Sequence, residues 1–231
     1  PLLADRLPHT TLAFTACSGA RIADVLKSQL EPLNKHTRLV TLTAGGNDVG
    51  FSRGLGACLQ GTEAECLAVT AGGEAIAASL GPAIEELLAS VHERAPHARI
   101  LLVGYPLLFE LTPECPGTPL SLVKRTALNQ VADVLNAQLA EVASAAQQDR
   151  HRFGDVRFVD VEPAFAGHGV CAEVPWIHGY TGTWESFHPT ADGQREGYLP
   201  AVRSATRPGP PPGVHPTPPK PPVPAAEVTA R

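Results

Sequence analysis

The sequence lacks the features that mark several common classes of protein. No apolar run approaches the ~18 residues that a membrane-spanning helix needs. No two cysteines have the Cys-x-x-Cys spacing of a zinc or redox site. The net charge of −5 offers no basic surface for nucleic acid. Aromatic residues make up only 5% of the chain, which gives no sign of a lipid-docking face. We therefore expect no metal, no cofactor, no nucleic-acid partner and no transmembrane segment.

The pattern of apolar residues predicts an α/β protein. A length of 231 residues is enough for one such domain with a tail. Short β-rich runs alternate with longer helical patterns, which indicates a parallel sheet with helices on both faces. The predicted strands are 11–16, 38–43, 99–103 and 156–161. The predicted helices are 22–30, 74–94 (interrupted at Gly81-Pro82), 120–147 and 190–204. Residues 1–7 are predicted to be the end of a further helix.

The composition changes sharply at Arg207. Ten of the 23 prolines fall between Pro208 and Pro224, and this stretch shows no apolar periodicity. Such a segment buries too little apolar surface to fold on its own. We therefore expect a folded domain over 1–206, followed by an extended tail or linker over 207–231.

Five cysteines leave one thiol over if the others pair. Cys58 and Cys66 are close enough to close one loop, and Cys115 and Cys171 both lie in Gly/Pro-rich loops that a long-range bridge could join. Cys17 is then unpaired, and we expect its partner upstream of the first residue. An oxidised, extracellular protein follows from this reading.

Two glycine-containing turns follow predicted strands. Gly19 lies in Ala-Cys-Ser-Gly-Ala, where the absence of a Cβ lets a backbone N–H approach a substrate closely. Asn47 follows Gly45-Gly46, and its side-chain amide is able to donate to a developing oxyanion. The carboxyl ends of parallel strands meet at one edge of a sheet. Taken alone, each turn is better explained as an ordinary connection.

His188 is the candidate general base. It stands in Ser-Phe-His-Pro-Thr, just ahead of a predicted helix. Glu185, three residues earlier, offers a carboxylate or a backbone carbonyl to orient the imidazole Nδ1–H, so that Nε2 serves a nucleophile. The nearest rival is His168, which its position close to Cys171 marks as structural.

In joint order, these motifs resemble the SGNH (GDSL-type) hydrolases, a family of esterases and lipases, and especially their secreted, disulfide-bonded branch. The resemblance covers roughly residues 1–205 and is carried by blocks at 14–20, 42–51, 104–106, 167–171 and 186–190. It implies a flavodoxin-like three-layer α/β/α fold with a parallel sheet. It also implies Gly19 and Asn47 as oxyanion donors, His188 as general base, and Glu185 at the position of the family's acid.

One block of that family is absent from the sequence. The family carries its nucleophile in a Gly-Asp-Ser motif on the first, central strand, and none of the nine serines here has that context. Ser18 adjoins an oxyanion donor and is a poor substitute. Pro1, unpaired Cys17 and the missing block together predict an N-terminally truncated copy whose central strand and catalytic serine lie upstream.

The resulting functional prediction is a secreted carboxylic-ester hydrolase that acts through an acyl-enzyme, with His188 as base and then acid. We expect a monomer that takes small-molecule or lipid esters. Two alternatives stay open. One is a non-catalytic binding module that keeps the fold and is tethered by the proline tail. The other is a phospholipid-acting lipase, which shares these residues and differs only in the shape of its pocket.

Overall fold

A parallel three-stranded sheet forms the centre of the structure. The computed structural model describes residues 2–7, 9–183 and 185–207. Its strands are β1 (Leu39–Leu42), β2 (Arg99–Val103) and β3 (Asp155–Val159), in the order β1-β2-β3. Leu42 pairs with Leu102, which in turn pairs with Phe158. Helices connect successive strands, as parallel pairing requires. The predicted α/β class is confirmed.

Eight helices surround the sheet in the described part of the chain. They are α1 (Ile22–Asp24, continued by a π-helical stretch Val25–Gln29), α2 (Phe51–Gln60), α3 (Glu63–Ser79), α4 (Gly81–Arg94), α5 (Leu122–Gln148), α6 (Arg150–Phe153), α7 (Glu162–Phe165) and α8 (Leu199–Thr206, preceded by a π-helical stretch Gly193–Tyr198). Of the segment predicted as the end of a helix at 1–7, a single 3₁₀ turn at Ala4–Arg6 is present.

The two faces of β2 lie in different apolar clusters. Ile100 and Leu102 belong to the cluster that α4 and most of α5 cover. Leu101 and Val103 belong to the other cluster, with side chains from α2, α7 and α8. All four side chains are buried, as the continuous apolar run of this strand predicts for a parallel sheet covered on both faces. The helices and the sheet therefore form three layers.

The prediction of a strand over 11–16 is wrong. This segment is irregular in the structure, and Leu12 and Phe14 are 49% and 68% exposed. A strand needs a neighbour that completes its backbone hydrogen bonds. In the described chain, β1 pairs with β2 on one side, and no strand joins its other edge.

The predicted start of the second helix, at residue 74, is also wrong. The segment predicted as a loop around Cys58 and Cys66 is instead α2 and the first turns of α3. The start of α3 is a capping box: Thr62 Oγ1 accepts from the Glu65 N–H at 3.2 Å, and Glu65 Oε2 accepts from the Thr62 N–H at 2.7 Å. The Thr-x-x-Glu signature is visible in the sequence, so the signal was present.

The predicted interruption at Gly81-Pro82 is confirmed. Helices α3 and α4 meet at Leu80 with a bend of 47°, and Pro82 lies in the first turn of α4, where its missing N–H does no harm. No single helix in the described ranges has the length and composition to cross a bilayer. Only this bent pair passes that test, and only when its two helices are taken together.

Two disulfides connect the helices and loops. Cys58 in the last turn of α2 is bonded to Cys66 in the first turn of α3, and Cys115 is bonded to Cys171. These are the two pairings that the sequence led us to expect. The remaining thiol, Cys17, is exposed and unbridged. The predicted proline-rich tail lies outside the described residues from position 208 onward.

A polar stripe on α5 holds the chain that leaves β2. Asn129 and Asn136 are seven residues apart and therefore share a face of the helix. Asn129 accepts from the Phe109 N–H at 3.1 Å and donates to its carbonyl at 2.8 Å. Asn136 makes the same pair of bonds with Tyr105, at 2.9 and 2.7 Å. Each amide thus satisfies the backbone of an irregular segment as a neighbouring strand would.

Arg125 extends this stripe by one turn. Its side chain is among the most deeply buried in the protein. The guanidinium donates to the carbonyl oxygens of Glu110 at 2.8 Å and Thr112 at 2.6 Å, and it lies 3.5 Å from the Cys171 sulfur. One buried cation therefore holds the loop that carries the second disulfide.

We expect Arg125→Met to destabilise the protein by about 3 kcal/mol, because it leaves the carbonyl groups of Glu110, Thr112 and Leu120 without their donor. For a domain of this size the melting temperature should fall by roughly 6–12 °C. Thermal unfolding followed by circular dichroism measures the change. Gln130→Met is the matched control, since Gln130 is exposed on the same helix, and it should shift the midpoint little. Equal midpoints for the two variants would contradict the role given to Arg125.

Candidate active site

The backbone around His188 is fixed by a short antiparallel pairing of two loops. The His178 N–H donates to the His188 carbonyl at 2.9 Å, and the Phe187 N–H donates to the His178 carbonyl at 3.1 Å. Phe187 has a left-handed backbone, with φ of 61°, which costs a non-glycine residue about 1–2 kcal/mol. Its buried ring packs edge-on against Phe109, with centroids 5.6 Å apart. Packing therefore holds the turn that presents the histidine.

The imidazole of His188 is oriented by a backbone carbonyl. Its Nδ1 lies 3.1 Å from the carbonyl oxygen of Ser186. Because that oxygen only accepts, this contact favours the tautomer with the proton on Nδ1, in which Nε2 has a lone pair and is able to act as a base. The side chain is exposed, as a group that meets a substrate should be.

Glu185 contacts His188 through its backbone. Its carbonyl oxygen accepts from the His188 N–H at 3.0 Å, and its own N–H donates to Thr183 Oγ1 at 3.3 Å. The residue is exposed. Of the two groups that the sequence offered as orienting the imidazole, the Glu185 carbonyl is used by the turn. The carbonyl beside Nδ1 belongs to Ser186 instead, which sequence reasoning missed.

Gly19 lies at the corner of a tight turn. The Ala20 N–H donates to the Cys17 carbonyl at 3.3 Å, and Gly19 has a φ of 79°. A Cβ at this position would meet no neighbouring atom within 4 Å. The positive φ, and not crowding, is therefore what requires glycine here.

Asn47 joins its own turn to that of Gly19. Its side-chain Nδ2 donates to the Ala20 carbonyl at 3.0 Å. The next residue strengthens this junction, since both carboxylate oxygens of Asp48 accept from the Ile22 N–H, at 3.2 and 3.1 Å. The structure thus brings the two predicted oxyanion residues together, whereas His188 is held by a separate set of loops.

Tyr105 is hydrogen-bonded to the Gly45-Gly46 turn. The Gly46 N–H donates to the Tyr105 hydroxyl at 2.9 Å, and a Cβ on Gly46 would lie 3.1 Å from that ring. Burial raises the pKa of Tyr105 to about 12, so the hydroxyl stays neutral at working pH.

Asn136, which holds the Tyr105 backbone, also donates to Glu162 Oε1 at 2.5 Å. Burial raises the pKa of Glu162 above its usual value.

Sequence reasoning missed three of these supporting residues. Asp48 and Tyr105 lie inside the family blocks 42–51 and 104–106, but their hydrogen-bond partners are far away along the chain. Asn136 interrupts the apolar stripe of α5, and a buried amide on a core face was the one signal that pointed to it.

His168 has the structural role that the sequence indicated. Its ring stacks on Trp176, with centroids 3.6 Å apart and planes inclined by 2°. Its Nδ1 lies 2.8 Å from the Val174 carbonyl oxygen. Within the ranges that the structure describes, no group of three or more His, Cys, Asp or Glu side chains is arranged to hold a metal ion.

Comparison with known proteins identifies the family. Residues 1–196 match the model of the GDSL-like Lipase/Acylhydrolase family. The chain belongs to this family. It is 44% identical over 200 residues to a lipase of Streptomyces rimosus, covering 85% of this chain and 71% of that protein. It is 41% identical over 199 residues to Lipase 1 of Streptomyces coelicolor, and the match covers 85% of this chain and 70% of that protein.

Two solved structures share the fold. The extracellular lipase of Streptomyces rimosus superposes with a TM-score of 0.82 at 40% identity, covering 88% of this chain and 84% of that one. Phospholipase A1 of Streptomyces albidoflavus NA297 superposes with a TM-score of 0.76 at 38% identity, and the match covers 83% of this chain and 78% of that one. The three-layer SGNH fold and the ester-hydrolase function of the family are thereby confirmed for this GDSL-type chain.

We expect the junction at Asp48 to affect stability through pH. Burial, partly offset by its hydrogen bonds, raises the pKa of the Asp48 carboxyl. The folded state therefore holds this proton to a higher pH than the unfolded state does, and stability falls as pH rises through the interval above the ordinary Asp value.

Asp48→Asn removes this titration and keeps an acceptor for the Ile22 N–H. The melting temperature of the wild type, measured relative to that of Asp48→Asn, should fall as the pH rises above about 3.9, the ordinary pKa of an Asp carboxyl. Subtracting the variant removes the other carboxyl groups from the comparison. A difference that rises with pH would contradict the assignment.

Proposed function

We propose that this GDSL-type chain supplies the general base and the oxyanion donors of a secreted hydrolase of lipid esters. The observation that carries the proposal is the junction of Gly19 with Asn47 through Ala20, together with an exposed His188 whose Nδ1 faces a carbonyl oxygen. Relatives named lipase and phospholipase A1 support lipid esters as the substrate class.

The proposed reaction proceeds through an acyl-enzyme. His188 Nε2 takes the proton of a serine hydroxyl as the serine oxygen attacks the ester carbonyl. The Gly19 N–H and the Asn47 amide donate to the carbonyl oxygen as it becomes negative. When the C–O bond to the alcohol breaks, His188 returns the proton to the leaving oxygen. Water repeats the sequence to release the acid.

The proposed nucleophile is a serine in the family's first block. None of the nine serines of the chain stands in a Gly-Asp-Ser context. Ser186, the serine nearest His188 in sequence, is held in its own turn, where its Oγ lies 3.0 Å from the Thr181 hydroxyl. We therefore assign the nucleophile to a segment that these 231 residues do not include.

The proposed orienting group for His188 is the carbonyl of Ser186, with Glu185 shaping the turn through its backbone. A carbonyl fixes the tautomer as a carboxylate does, but it carries no full charge to stabilise the imidazolium. Glu185 nevertheless places a carboxylate three residues from the base.

We further propose that the protein is secreted, that it is a monomer and that residues 1–206 form its domain. Two disulfides and an extracellular relative support export to an oxidising compartment. The family match ends at residue 196, and α8, which contacts β2 and β3, continues to Thr206. This supports a domain over 1–206, and 207–231 is then a tail or linker.

A binding module without catalysis is the second candidate, and the absence of Gly-Asp-Ser favours it. We expect the 231-residue chain to show no measurable hydrolysis of p-nitrophenyl butyrate. The same chain extended by the first block of the Streptomyces rimosus lipase should hydrolyse it. Activity in the extended chain should fall by about 10³-fold or more in His188→Gln. A stable, monomeric extended chain without activity would favour the binding module.

Glu185→Gln separates the two ways of orienting the base. If the Ser186 carbonyl orients the imidazole, this variant of the extended chain should keep kcat/KM within about five-fold of the parent, because only a nearby charge is lost. Glu173→Gln is the control for the loss of one exposed carboxylate. A loss of about 10³-fold or more, as expected when a triad acid is removed, would overturn the proposed role of Ser186.

A further inference from the structure

Charged residues are distributed unevenly along this chain. It contains 18 lysines and arginines, yet none of them falls in 100–123 or in 158–194. The same two segments contain seven carboxylic acids: Glu110, Glu114, Asp160, Glu162, Glu173, Glu185 and Asp192. Both segments include the carboxyl end of a strand and the loops that follow it, which is the edge of the sheet where the candidate site lies.

The loops of these segments form one surface, which we call the loop face and define as residues 110–121, 168–183 and 185–188. The Cys115–Cys171 disulfide joins its two halves. The Tyr180 N–H donates to the Gly117 carbonyl at 2.9 Å, which joins them a second time. His188 is the last residue of the second half, so the loop face includes the candidate general base.

Large apolar side chains are exposed on the loop face. Leu111, Val174 and Tyr180 are 49%, 59% and 54% exposed. No lysine or arginine lies in the loop of any of the three. The loop face therefore combines exposed apolar groups with carboxylates, which is unlike the basic surfaces that bind anionic membranes.

The loop face contains no lysine or arginine, and the cation that contacts it, Arg125, is buried and donates to the carbonyl oxygens of Glu110 and Thr112. At the amino edge of the sheet, Arg99, Arg150 and Arg157 surround Asp155, with Nε or Nη atoms 2.7, 3.3 and 3.5 Å from its oxygens. Nearer to the site, Arg21 is exposed, and its charge acts to lower the pKa of the Asp48 carboxyl.

We propose that the loop face docks on a phosphatidylcholine surface and is repelled by anionic lipid. In phosphatidylcholine the trimethylammonium group is outermost, where it meets the carboxylates of Glu114 and Glu173. Exposed Tyr180 offers the aromatic ring that quaternary ammonium groups favour. The inference builds on the proposed function only in that such a surface would present the ester substrate beside His188.

The test uses a reporter that the loop face already carries. Both tryptophans of the sequence fall within 158–194, and Trp176 lies on the loop face stacked against His168. Bromine on lipid acyl chains quenches tryptophan emission at short range. Quenching therefore reports contact of this surface, whereas binding through the arginines of the amino edge leaves the tryptophans unquenched.

The 231-residue chain is mixed with vesicles of brominated phosphatidylcholine or brominated phosphatidylglycerol at about 20 mM salt. We expect at least about two-fold more quenching by phosphatidylcholine. In about 0.5 M salt the difference should shrink, because charges are screened over a few ångströms. Equal quenching by both lipids at low salt, stronger quenching by phosphatidylglycerol, or no quenching by either lipid would overturn the proposal.

Matched charge reversals locate the effect. Glu173→Lys should increase quenching by phosphatidylglycerol several-fold, because a lysine near an anionic surface favours binding about five-fold and a repulsive carboxylate is also lost. Glu93→Lys makes the same charge change near the amino edge and should leave quenching unchanged. Val174→Ser should weaken quenching by phosphatidylcholine. Equal effects of the two lysine variants would show that net charge alone matters and would contradict the proposal.

Quenching requires no catalysis, and hydrolysis of soluble p-nitrophenyl butyrate by the extended chain requires no membrane. Hydrolysis without selective quenching would therefore reject the docking surface and leave the proposed function standing. Selective quenching without hydrolysis in the extended chain would reject the enzymatic proposal and retain the docking surface.

Discussion

The structure depends on how the irregular chain beyond β2 satisfies its backbone hydrogen-bonding groups. These groups are buried or half-buried, and leaving a buried donor or acceptor unpaired costs about 1–3 kcal/mol. Three polar side chains of α5, Arg125, Asn129 and Asn136, supply the missing partners. The long helix therefore does more than cover the sheet, since it also fixes the loops that surround the candidate site.

The site inherits its geometry from this arrangement. Asn136 accepts from the backbone N–H of Tyr105. The Tyr105 hydroxyl in turn accepts from the Gly46 N–H, and this bond positions the Gly45-Gly46 turn that precedes Asn47. Asn47 and Asp48 then fasten that turn to the segment of Gly19. A chain of direct contacts thus runs from the middle of α5 to both candidate oxyanion donors.

The general base is positioned by different means. Phe187 is held in a left-handed conformation by a buried ring contact, and the turn that results places His188 Nδ1 near the Ser186 carbonyl. The loops that build this turn also lack basic residues and expose apolar side chains. In a family whose relatives are named lipases, the support of the base and the character of the surface around it come from the same segments.

The sequence alone determined the α/β class, β2, the long α5, the two cysteine pairings and the family, and it supplied the candidate residues of the site. These follow from local patterns: apolar periodicity, loop composition and short motifs in order. It misplaced a strand at 11–16 because an extended segment becomes a strand only when a neighbour pairs with it. Only the tertiary structure revealed Asp48, Tyr105, Asn136 and the Ser186 carbonyl, because their partners lie far away along the chain or depend on a strained turn. Distances between remote residues are fixed by packing, which no local pattern records.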